Sequence, residues 1–130
     1  MTDKRTFAQA YAAAQLKMEN PRHDSQNPHL KNTYASLAAV RDATIPVFAA
    51  EGIGVIQNLT STERGVSVTT VLLYDDQQYV FGPFEVPASK QDAQGYGAAS
   101  TYARRYALQS ISGVVGDRDL DAEVGKPIAV

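Results

Sequence analysis

The chain has 130 residues, 44% hydrophobic and 20% charged, with no cysteine and a formal charge of −2. That length suits one domain able to bury a core without staples, and the lack of cysteine excludes a disulfide framework and thiolate metal sites. No apolar run approaches the roughly 20 residues of a membrane span, and "MTDKRTFAQA" has no apolar signal region, so a cytoplasmic protein is expected.

In chain order, Thr6-x-x-Gln9 is a capping-box pattern opening a helix, with Phe7, Ala10, Tyr11, Ala14 and Met18 on one face. "ENPRHDSQNPH" then places Pro21 and Pro28 in a long polar loop, with a brief extended piece at Tyr34 to Ser36. Ser36 caps a second helix that turns Leu37, Val40, Thr44, Val47 and Phe48 inward. Pro46 should kink it, because proline removes the hydrogen bond to the Asp42 carbonyl, and Gly52 stops it.

Three strands follow. "GVIQNL" is short and β-branched, and "GVSVTTVLLY" alternates, with Val66, Val68, Thr70, Leu72 and Tyr74 on one face. "QQYVFGPFEV" comes after a turn at Asp75-Asp76, and its Pro83 predicts an edge, a bulge or an interruption. The pattern reads as an antiparallel meander. A last helix starts near Asp92 and runs to about Ile111. A 100° wheel sets Tyr96, Ala99, Tyr102, Ala103, Tyr106, Ala107 and Ile111 on an inner face, and Gln94, Thr101, Arg104, Arg105 and Gln109 opposite. The expected fold class is therefore α+β: a three-stranded antiparallel β-meander packed against helices, with N-terminal helices.

The charge is unevenly placed. From Asp117 onward four acids face two bases, whereas residues 1–116 carry ten of each sign. Residues 1–116 are thus expected to form the core domain and 117–130 an acidic, flexible tail. An acidic total argues against a nucleic-acid binder, yet a neutral body with one basic stripe can still hold phosphates.

Most catalytic chemistry lacks its residues. Lys126 follows a glycine, but Pro127 replaces the hydroxyl residue that a phosphate-binding loop needs for magnesium. Gly95-x-Gly97 lacks the third glycine of a dinucleotide fingerprint, and its strands are not parallel. His23 and His29 fit no zinc spacing. The run from Asp117 to Asp121 starts like a calcium loop but has Ala122 at the sixth position and Ile128 at the twelfth, leaving room only for a loose divalent-ion dependence. No nucleophile, metal set or nucleotide loop supports an enzyme. Arg104-Arg105 is left with two readings: a solvated or ion-paired face, or a phosphate clamp with tyrosines for base stacking.

Two stretches carry a resemblance. "HDSQNPHLKNTYASLAAVRDATIPVFAAEGIGVIQ" (residues 23–57) and "QGYGAASTYARRYALQSISGV" (residues 94–114), in that order around an all-β stretch, resemble the essential-recombination-function family of phage single-strand annealing proteins. Leu30 stands where an aromatic is common, and Asn32-Thr33 replaces a more basic pair. The resemblance implies a β-β-β-α annealase core and a non-enzymatic function. That function is binding of single-stranded DNA and annealing of complementary strands in homologous recombination and DNA repair, with no ATP or other cofactor. Its implied partners are single-stranded DNA, the annealed duplex intermediate, further copies in a ring or helical homo-oligomer, and a single-strand-binding protein; no membrane is implied. The host-cell cytoplasm is the implied place. Carried over by position, Arg104 and Arg105 form the DNA-binding face, Lys31 is a second phosphate contact, Gln94 and Thr101 are polar companions, and Arg64 is either a second contact or part of a subunit interface. Tyr34 and Tyr96, nearer to loops, are the tyrosines freer to stack. The alternative is a non-catalytic protein-interaction module whose arginine helix binds an acidic partner.

Overall fold

The structure, a computed structural model, describes residues 5–28 and 32–117. Helix α1 (Phe7–Lys17) begins with the reciprocal cap expected from its sequence. Thr6 Oγ1 accepts from the Gln9 amide at 3.1 Å and Gln9 Oε1 accepts from the Thr6 amide at 2.9 Å, satisfying amides that have no intrahelical acceptor. The proline-containing stretch is more ordered than a loop: β1 (Ser25–Gln26) pairs antiparallel with β2 (Thr33–Tyr34). Asp24 fastens this ribbon to the next helix, accepting from the Ser36 amide and hydroxyl, each at 2.8 Å. Ser36 in turn caps α2 (Leu37–Ala50), which continues through Pro46. Thr44 sits in the core there because its hydroxyl donates to the Val40 carbonyl at 2.8 Å.

β3 (Gly54–Ser61), β4 (Gly65–Tyr74) and β5 (Gln77–Pro87) form one antiparallel sheet in the order β3-β4-β5. Asp75 and Asp76, with φ of 51° and 62°, make the second hairpin turn, a left-handed conformation that matches strand twist. Pro83 lies on an edge strand and beside a bulge, where the register slips between Val68 and Thr70, so two of the three expectations hold together.

Helix α3 (Ala93–Ser112) starts at Asp92, whose carboxylate accepts from the Gly95 amide at 2.7 Å, and stops at Gly113 with φ of 86°. Residues directly opposite in register share a face, so Val55, Leu72 and Tyr79 point together toward the helices. Val40, Phe48, Ile53, Leu72 and Leu108 form the main core and are at most 1% exposed. Full burial of each such side chain stabilises the fold by about 1.5–3 kcal/mol. A second cluster joins Val66 and Val68 to Ala99 and Ala103, whose small side chains let α3 lie close to β4. At Gly95 the helix instead meets the connection that leads into it: a Cβ would stand 1.9 Å from the Lys90 carbonyl oxygen. The opposite face of the sheet is open, with Ile56 and Val80 flanking Val71 at 48% and 60% exposure.

Candidate nucleic-acid interface

The outer side of α3 carries an exposed stripe. Gln94, Gly97, Thr101 and Arg104 recur at i, i+3, i+7 and i+10 and all face solvent. Arg104 has no ion-pair partner among the described residues. Its backbone is held: Gln57 on β3 donates from Nε2 to the Arg104 carbonyl at 3.1 Å and to Thr70 Oγ1 at 3.3 Å. The helix is thereby pinned to the sheet beneath an unpaired guanidinium. Gly97 leaves the stripe flat, and a Cβ there would meet nothing within 4 Å. No internal packing requires that glycine.

Arg105 has a different environment. It is only 9% exposed, donates from Nη1 to Asp117 Oδ1, and lies over three tyrosine rings. The centroids of Tyr34 and Tyr106 are 4.7 Å from its guanidinium carbon and that of Tyr102 is 5.9 Å away. Cations favour such ring faces, more so when partly desolvated. Burial first, and the neighbouring Asp117 carboxylate second, push the Tyr106 hydroxyl up to about 12, so it remains protonated near neutrality.

Three residues thus depart from the helical wheel; one is Gln109, expected on the polar face but half-buried, with its Nε2 buried and its Oε1 accepting from the Gly116 amide at 2.8 Å. Arg105 was expected on the polar face beside Arg104 but is buried, and Tyr102 was expected inside but is 46% exposed. A wheel assumes one packing partner. The C-terminal half of α3 has two, the sheet and α2, and the segment after Gly113 closes over the side between them. Arg105 enters that corner with a counter-ion, whereas Tyr102 sits on the flank toward β5.

The remaining expected residues spread along α3. Arg64 is exposed in the turn between β3 and β4. Gln91 ties that turn to the helix entrance, donating to the Arg64 carbonyl at 3.0 Å and accepting from the Tyr96 hydroxyl at 3.0 Å. Arg64, Tyr96 and Gln94 therefore gather at the N-terminal end, Thr101 and Arg104 lie along the middle, and Tyr34 and Arg105 meet farther on. Tyr34 and Tyr96 are half-buried and engaged rather than free at loops. Lys31 and His29 lie outside the described residues, as does the tail beyond Asp117. Neither Gln57 nor Asp117 was expected at this site. Gln57 closes the first resembling stretch without a local chemical mark, and Asp117 was read as the start of an acidic tail rather than as the counter-ion of Arg105. Among the described residues no three His, Cys, Asp or Glu side chains group as a metal site, and no helix is long and apolar enough to cross a membrane.

A family model described as the ERF superfamily matches residues 7–127. The chain belongs to that superfamily. The match spans α1, α2, α3, the β3-β4-β5 sheet and the outer stripe of α3, so the resemblance carried by residues 23–57 and 94–114 holds for nearly the whole chain. Membership suggests a function of the phage recombination and annealing type. No curated protein and no solved structure matched the chain.

Proposed function

We propose that this ERF-superfamily chain binds single-stranded DNA and anneals complementary strands without ATP, acting in the host-cell cytoplasm as a non-enzymatic homo-oligomer. The observation that carries the reading is the outer stripe of α3: Arg104, without an ion-pair partner among the described residues, in line with Thr101, a bare Gly97 and Gln94. A guanidinium pairs bidentately with phosphate, small polar neighbours add donors, and a missing side chain lets a strand's backbone come close. Annealing requires no bond chemistry. A strand gripped by its phosphates keeps its bases free to find a complement.

One protomer with a few exposed contacts holds DNA weakly, because salt screens each of them. An array of copies along one strand converts weak sites into tight binding through effective concentration. The β3 and β5 strands, each paired on one side only within the described sheet, offer edges suited to such an array. Alignment of successive stripes also yields a basic groove from a protomer of net charge −2.

The test is annealing of two complementary labelled oligonucleotides, without nucleotide, by the native chain and by Arg104→Ala. Faster pairing by the native chain, lost in a folded and assembled Arg104→Ala, is the expected result. If neither the native chain nor the variant accelerates pairing or binds DNA, the protein-interaction module takes its place.

A further inference from the structure

The guanidinium of Arg105 is already occupied by an anion of its own chain. Asp117 Oδ1 accepts from Arg105 Nη1, and the two side chains are 19% and 11% exposed. We propose that Asp117 is an internal competitor for phosphate at Arg105: its carboxylate stands where a phosphate oxygen of single-stranded DNA would, and strand binding displaces it. This rests on the DNA-binding reading given above and adds its regulation.

Three features of the geometry support displacement over a permanent structural bridge. Arg105 uses only one oxygen of the carboxylate: Oδ2 is buried without a hydrogen bond among the described residues, with the Tyr106 hydroxyl as a neighbour of the group. A phosphate has more acceptor oxygens and suits the guanidinium fork at least as well. The cage does not depend on Asp117, because Tyr34 is fixed on β2 and Tyr102 and Tyr106 on α3.

The chain also supplies a pivot. Gly116 is anchored: its amide donates to Gln109 Oε1 at 2.8 Å and its carbonyl accepts from the Ala35 amide at 2.7 Å. It is also packed, with a would-be Cβ 3.1 Å from that of Ala35. Asp117 is the next residue, so it can turn away while the segment before it stays seated.

The experiment measures binding of labelled oligothymidylate to wild type, Asp117→Asn and Arg104→Ala across a salt series. Asp117→Asn is expected to bind about threefold to tenfold more tightly at low salt. Its salt slope should be steeper by up to about 0.7 per bound subunit, because the displaced wild-type carboxylate takes up a cation and offsets release from the DNA. A merely structural Asp117 would not steepen that slope. If wild type binds and Asp117→Asn binds no tighter, the competitor is overturned while DNA binding stands; if neither binds, both fall. Should circular dichroism show Asp117→Asn unfolded, the carboxyl carbon shift of Asp117 in wild type decides: a move toward that of a solvated carboxylate with oligothymidylate is expected, and an unchanged shift overturns the proposal.

Discussion

Arg104 and Arg105 are adjacent in the chain, yet Arg104 stands in solvent without an ion-pair partner among the described residues while Arg105 is buried against Asp117 and three tyrosine rings. Their alanine variants should therefore separate stability from binding. Arg105→Ala removes a guanidinium packed on three tyrosine rings and should cost about 1–3 kcal/mol. Arg104→Ala should change stability by no more than about 0.5 kcal/mol. Urea unfolding midpoints check both. In DNA binding, Arg104→Ala should reduce the salt slope by about 0.7 per bound subunit.

The two glycines near the start of α3 should respond in opposite ways. Gly97→Ala meets open space, so the gain in helix propensity should raise stability by up to about 1 kcal/mol. Gly95→Ala drives a Cβ into the Lys90 carbonyl oxygen and should lower the melting temperature. A bulkier Gly97→Leu should keep the fold and weaken oligothymidylate binding. Unchanged affinity would show that no strand crosses Gly97.

Acid should unfold this protein partly through Glu51. Lys17 Nζ at 2.7 Å, and then Arg5 Nη1 at 2.8 Å, hold its carboxyl below the ordinary glutamate value. A lowered folded-state pKa contributes stability that is fully present above the unfolded value of about 4.3 and is lost as pH falls through the folded one. Glu51→Gln should be less stable at neutral pH and lose less of what remains on acidification. Urea midpoints at neutral pH and below pH 4 would show it, and parallel curves would assign the acid loss elsewhere.

The second hairpin turn offers a gain. Asp76 adopts φ of 62°, a conformation that glycine reaches without steric cost. Asp76→Gly should stabilise the protein by up to about 1 kcal/mol, with the turn and the sheet preserved. Thermal unfolding followed by circular dichroism reads the difference.

What the sequence determined by itself was local. Thr6 and Gln9, Ser36 and Asp92 are helix starts because their side chains answer amides a few residues away, and nothing distant changes that. Alternation from Val66 to Leu72 identified the inner face of β4 because strand side chains repeat every two residues wherever the strand lies. Family membership was also legible, since long stretches of residues carry it.

Tertiary structure alone decided the corner at Arg105. The wheel gave Arg104 and Arg105 one fate, because spacing along a helix records direction but not how many neighbours arrive. Here α2 and β2, distant in the chain, converge with residues 113–117 on one side of α3. The guanidinium is buried there only because a carboxylate and three rings meet it. The same non-local logic places Gln57, a strand residue with no local mark, under the carbonyl of Arg104. Local propensity acts over a few residues, whereas the environment of a charge depends on whatever the rest of the chain brings to it.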